Sequence, residues 1–130
     1  MKKLLLVISM LIFAMLMTAC GGSSKSVLTE PGAIGKIMGE LQNKDGLKGQ
    51  ELKVFQDITI VSGKDYGGNF ISINILKPGT KEDVDHYEYR NGSWSGPSAV
   101  KITGNGNMED NLIALQALNM DKIPEMYKAF

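Results

Sequence analysis

The sequence predicts an α+β domain in which an N-terminal helix packs on a four-stranded antiparallel sheet and a short C-terminal helix follows. Three observations predict it. Ile34, Ile37, Met38 and Leu41 recur at i, i+3, i+4 and i+7, the apolar stripe of an amphipathic helix. Runs of alternating apolar and polar residues then follow one another between residues 52 and 102, with turn residues between them. One of these joints, Asn91-Gly92, is the strongest short hairpin signal. A helix, then consecutive strands, then a helix is the order of an α+β sandwich, not of alternating βαβ units.

The elements can be taken in chain order. Thr29 and Glu30 precede Pro31, which predicts a helix start with proline in the first turn. Gly32, Gly35 and Gly39 each cost that helix up to about 1 kcal/mol relative to alanine, and they leave a smooth strip where a backbone could approach. Packing on the chain's own sheet is the plain reading of that strip, and a groove for a partner helix is the rival. Asn43 to Gly49 reads as the exit loop. In the first strand Leu52, Val54, Ile58 and Ile60 form one buried face, alternating with Lys53, Asp57 and Thr59. Ser62 to Asn69 is a glycine-rich connection, and Ile71, Ile73 and Ile75 make the second strand. Pro78-Gly79 carries a type II turn signal.

The third strand, Val84 to Arg90, meets the fourth through Asn91-Gly92, which sets Tyr89 opposite Trp94 and Tyr87 opposite Gly96. Pro97 belongs at a bulge or on a sheet edge. Val100 and Ile102 are expected to keep the parity of Trp94. Gly104 to Asn107 is a loop, and Leu112 with Leu115 suggests a helical turn. Asp121 is the expected N-cap of a last helix carrying Ile123, Tyr127 and Phe130 on one face. Its apolar stripe is still open at Phe130, so that residue needs a cover.

The domain begins only after a different kind of segment. Lys2 and Lys3 precede Leu4 to Met17, an apolar run broken by Ser9. It is shorter than the roughly 20 residues a membrane span needs, and it fits the apolar core of a signal peptide. The stretch Met17-Thr18-Ala19-Cys20, followed by Gly21, Gly22, Ser23 and Ser24, resembles the lipobox of bacterial lipoproteins, with Met17 where leucine is usual. The resemblance implies diacylglycerol transfer to the Cys20 thiol, cleavage before Cys20 and acylation of the new amino group. An ordinary secretory signal with a chance cysteine is the competing reading, but a single leftover cysteine in an exported chain needs an explanation, and lipidation supplies one. The expected division is a signal peptide over 1–19, a lipidated cysteine and tether over 20–26, and one domain over 27–130. A cell-envelope location follows, and the outer membrane if the host is Gram-negative, since position 21 is not aspartate.

Composition narrows the classes. Loss of residues 1–19 from the 130 leaves 111 residues, enough for one small domain. It also removes two lysines from 14 basic residues against 14 acidic, so the net charge moves from 0 to −2. That balance argues against nucleic acid as a partner. With one cysteine in the chain there is no disulfide framework, so the core alone must hold the domain.

The residues that could carry chemistry are few. His86 is the only histidine, and on a strand Asp85 and His86 point to opposite faces, so they cannot share a metal. Asn105, Asn107, Glu109 and Asp110 offer oxygen ligands without the spacing of a calcium loop, and a capped helix start accounts for them better. Gly92-Ser93-Trp94-Ser95-Gly96 has tryptophan where a nucleophile elbow needs serine. Gly67-Gly68 and Gly104-x-Gly106 do not match a phosphate loop. No catalytic residue, cofactor or metal is expected. Cys20 is the lipidation site, and His86, Glu88 and Arg90 on one strand face, with Phe130, are the candidate partner surface. Tyr66 and Phe70 would stand at its rim. A solvated face is the competing reading of that row.

The segment Tyr87-Glu88-Tyr89-Arg90-Asn91-Gly92-Ser93-Trp94, with Pro97, Val100, Leu112 and Ile123-Pro124, resembles PepSY-like and β-lactamase-inhibitor-protein-like envelope lipoproteins. The resemblance implies a unit of one helix on a four-stranded sheet, often present twice, and binding to a protein partner. This chain has room for one full unit, so its last helix either opens a second or folds back on the first. The expected function is a membrane-anchored, non-enzymatic module that binds an envelope protein or a second copy of itself, as in a homodimer. The alternative is an inhibitor or accessory subunit of a periplasmic or extracellular hydrolase.

Overall fold

The computed structural model describes residues 25–130. The segment expected to be a signal peptide, the lipobox-like stretch and Cys20 lie outside the described residues. Within them the order is α1 (Ala33–Gln42), β1 (Lys53–Gly63), β2 (Gly68–Leu76), β3 (Val84–Arg90), β4 (Ser93–Val100), β5 (Leu112–Ala114) and α2 (Ile123–Lys128), with short 3₁₀ turns between the later elements. The α+β class holds. The sheet is antiparallel with five strands, not four, in the order β4-β3-β2-β1-β5. No helix among the described residues is long and apolar enough to cross a membrane.

The fifth strand replaces the helical turn expected at Leu112. Leu112, Ile113 and Ala114 pair with Phe55, Val54 and Lys53 along the outer edge of β1. Three residues are too few to display an alternation, and Leu115 begins a 3₁₀ turn directly afterwards. Only their partner strand makes them a strand.

The helix stripe forms as its spacing predicts: Ile34, Ile37, Met38 and Leu41 are all buried. Its start is later than proline suggested. Gly32 has φ +78°, a left-handed conformation outside the helix, so α1 opens at Ala33. The stripe packs on Val54, Ile71, Ile73, Ile75 and Tyr87 of the sheet, with Ile58, Ile60, Tyr89 and Trp94 around them. Trp94 ties the helix to the far edge strand, because its indole N–H donates to the Ile37 carbonyl at 2.8 Å. Tyr89 meets Trp94 edge to face at 5.5 Å between centroids. Burial, then the Asp85 charge, pushes the Tyr87 hydroxyl above the usual tyrosine range; burial, then Glu40, does the same for Tyr89.

The C-terminal segment folds back on this same side. Leu118, Met120 and Ile123 pack against the helix-side core, and Pro124 is buried. Asp121 is not the cap of α2: the cap position is Lys122, whose side chain makes no capping hydrogen bond to the backbone, and Asp121 sits in the preceding 3₁₀ turn. There it approaches α1 at a glycine. A Cβ on Gly35 would lie 2.8 Å from Asp121 Oδ1, so one glycine of the strip serves packing within the chain. Gly39 has no such neighbour within 4 Å. Gly39→Ala is therefore expected to raise the unfolding free energy by roughly 0.5–1 kcal/mol in urea titrations. Gly35→Ala should gain less, because Asp121 must move; an equal gain at both sites would contradict this packing.

Both turn signals hold. Gly79 has φ +82° and Thr80 N–H donates to the Lys77 carbonyl at 3.0 Å. Asn91 and Gly92 have φ +54° and +84°, the mirror-image turn that a two-residue hairpin needs. The parity expected for Val100 does not hold. Tyr89 pairs with Trp94 and Glu88 with Ser95, but His86 pairs with Ser98. An extra residue at Gly96-Pro97 shifts the register, and Val100 therefore faces the same side as Val84, opposite to Trp94.

Candidate functional site

The sheet face away from α1 is built from the residues that alternate with the core. On β3 these are Val84, His86, Glu88 and Arg90. Cross-strand pairing sets Asn74 and Ser98 beside His86, Ser72 and Ser95 beside Glu88, and Phe70 and Ser93 beside Arg90. A strip of small polar residues thus flanks a row of three ionisable ones. His86 Nδ1 lies 2.8 Å from Asn74 Oδ1, and its Nε2 lies 3.3 Å from Glu88 Oε1. The Arg90 guanidinium stacks over the Phe70 ring, 4.4 Å from its centroid. These contacts order the row while leaving His86 and Glu88 half-exposed and Arg90 exposed.

One end of this face is walled. The connection from β4 to β5 joins opposite sheet edges and must cross the sheet. It crosses on the back, where Phe55 and Val84 are buried outside the helix-side core. Phe55, Val100 and Met108 line a cleft of about 610 Å³ there, together with Gln56, Asp83 and Asn111. A bulge in β1 shapes it: Val54 pairs with Ile75, but Ile58 pairs with Ile73, so three β1 residues face Asn74 alone. Gln56 within that bulge has φ +64°, unusual for a residue with a side chain. Bulges of this kind re-aim side chains at the rims of sheets.

The structure brings His86, Glu88 and Arg90 together. It does not bring Phe130 to them, since α2 follows from the helix-side layer, and Phe130 is fully exposed at its end with Met126 and Tyr127 also exposed. Phe70 stands at the rim of the face but is half-buried beneath Arg90, and Tyr66 lies beyond it in the β1–β2 connection, 64% exposed. Asp85 and His86 project to opposite faces. Asn107 caps a 3₁₀ turn, its Oδ1 accepting from the Glu109 N–H at 3.1 Å. Among the described residues no group of three or more His, Cys, Asp and Glu is placed to hold a metal ion. No family model matches the chain, and no curated protein or solved structure does.

Sequence reasoning missed the cleft. Its one signal was the adjacent apolar pair Val54-Phe55, which breaks the alternation of the first strand and demands burial on both sides of the sheet. The arrangement can present shaped, partly ordered polar groups to a surface.

Proposed function

We propose that this chain is a membrane-anchored lipoprotein of the cell envelope whose domain binds a protein partner through the back of its sheet. Lipidation at Cys20 would supply the anchor, on the strength of the Met17-Thr18-Ala19-Cys20 stretch. The observation that carries the binding role is the row His86, Glu88, Arg90, held in register between strips of serine and asparagine and capped by the Arg90–Phe70 stack. Arginine and aromatic groups are the usual energetic centres of protein interfaces, and small neighbours let a partner approach them closely.

Capture from envelope extract tests this reading. The wild-type domain is expected to retain one partner that the triple variant His86→Ala, Glu88→Ala, Arg90→Ala, still folded by circular dichroism, holds about tenfold less well. Equal retention by both would sink it. In the same cells Cys20→Ala should move the protein from the membrane fraction to the soluble one. A second reading, an inhibitor or accessory subunit of an envelope hydrolase, is favoured by α1 followed by the consecutive strands β1 to β4, the unit that the resemblance to inhibitor-like lipoproteins implies. It requires the captured partner to be a hydrolase whose turnover changes on binding.

A further inference from the structure

Asn69 fixes where the tether leaves the domain. Its Oδ1 accepts from the Ser62 hydroxyl at 2.6 Å and from the Val27 N–H at 3.2 Å, while its Nδ2 donates to the Lys25 carbonyl at 2.9 Å. One side chain thereby pins the first described residues to the end of the β1–β2 hairpin, and Val27, 2% exposed, locks behind it. Ser62 pairs with Asn69 and Gly63 with Gly68, so this is the hairpin's closing end. The β3–β4 turn is at the same end, since Phe70 pairs with Arg90 and Arg90 with Ser93. The cleft is at the other end, where Leu76 pairs with Val84.

Lengths then restrict the orientation. Five residue steps separate Cys20 from Lys25, a reach of at most about 18 Å when fully extended. From Asn69 to Leu76 the sheet runs on for about 23 Å. The reach is shorter than the sheet is long, so an anchored domain has no room to stand inverted. The end beside the tether also carries a group suited to a bilayer surface. Tyr66 lies against Gly63, whose Cβ would be 3.6 Å from its ring, and is still 64% exposed. The basic Lys25, Lys64 and Arg90 are exposed at this end; of the acidic groups there, Glu30 lies 3.5 Å from Lys25, Asp65 precedes Tyr66, and Glu40 of α1 faces Tyr89. Tyrosine with nearby lysines and arginine matches the headgroup layer, where an amphipathic ring and long basic side chains reach both phases.

We propose that the closing end of the β1–β2 hairpin rests on the lipid headgroup surface with Tyr66 as its interfacial contact, so that the cleft faces away from the membrane. The proposal rests on lipidation at Cys20 and deepens that reading. Acylation consumes the chain's only thiol, so a single new cysteine can be labelled without interference. The lipidated full chain carrying Asp65→Cys or Lys81→Cys would be labelled with an environment-sensitive dye and placed in phosphatidylethanolamine–phosphatidylglycerol vesicles containing brominated lipid. Quenching at position 65 is expected to exceed that at position 81 several-fold, and adding Tyr66→Ala should reduce it. Co-flotation with the vesicles but equal quenching at both positions would overturn the orientation alone. Quenching unchanged by Tyr66→Ala would overturn the role of that residue. Failure to co-float at all would overturn the anchor reading, and this proposal with it.

Discussion

Trp94→Ala is expected to lower the unfolding free energy by about 3 kcal/mol, among the larger single-site losses this domain can suffer. Of the eight residues of β4, only Trp94 and Val100 are not exposed, and the Gly96-Pro97 bulge has turned Val100 to the back of the sheet. Trp94 is thus the one β4 side chain that joins the edge strand to the helix layer. It does so through its indole N–H on the Ile37 carbonyl, while its ring packs on Tyr89 of β3 beside it. Trp94→Phe keeps an aromatic ring and loses the hydrogen bond, so its cost should be nearer about 1 kcal/mol. Urea unfolding followed by circular dichroism measures both, since the mutations remove the only tryptophan. Hydrogen exchange should show α1 amides opening faster in the alanine variant. Equal costs for the two variants would mean that the ring contributes nothing beyond its N–H, and that ring packing does not hold β4 to the helix layer.

What the sequence revealed and what it hid divide along one physical line. The helix stripe, the Tyr89–Trp94 pair and the turns at Pro78-Gly79 and Asn91-Gly92 depend on residues within a few positions of one another, and all were legible. The later helix start depends on the backbone angle of Gly32, which Pro31 does not set, since proline fixes its own φ and restricts the residue before it. The bulge in β1, the parity of Val100 and the strand Leu112–Ala114 depend on how one strand is paired with another distant in sequence. A three-residue strand carries no period of its own, and a register shift exists only relative to a partner. The candidate surface shows the same division. His86, Glu88 and Arg90 stand on one face by simple alternation, whereas Phe130 is linked to them only by its apolar character, and the fold sets it just past the end of the C-terminal helix. The cleft was least visible of all, because it needs a connection that crosses the sheet between its two edges.

Gly96→Ala tests the device that sets the faces of β4. Gly96 has φ +112°, a conformation that side-chain-bearing residues rarely adopt. Space is also lacking: an added Cβ would lie 2.7 Å from the His86 carbonyl oxygen, 3.1 Å from Tyr87 Cδ1 and 3.3 Å from Tyr87 Cα. Two of these neighbours are backbone atoms of the strand beside it and cannot swing aside, so relief requires the β3–β4 register itself to shift. Conformational strain and overpacking together are expected to cost about 3 kcal/mol. Gly79→Ala separates the two contributions, because Gly79 has φ +82° but nothing within 4 Å of its Cβ position, and its cost should be only about 1 kcal/mol. If Gly96→Ala costs no more than Gly79→Ala, the close approach to His86 and Tyr87 is not a constraint on the fold. The variant also bears on the proposed binding role, since the displaced carbonyl belongs to His86. A shifted register would move His86 and Glu88 relative to Ser95 and Ser98, so partner retention should fall even at temperatures where the variant remains folded. Retention at wild-type level by a folded Gly96→Ala domain would mean that the partner does not read the His86–Glu88–Arg90 row in this register.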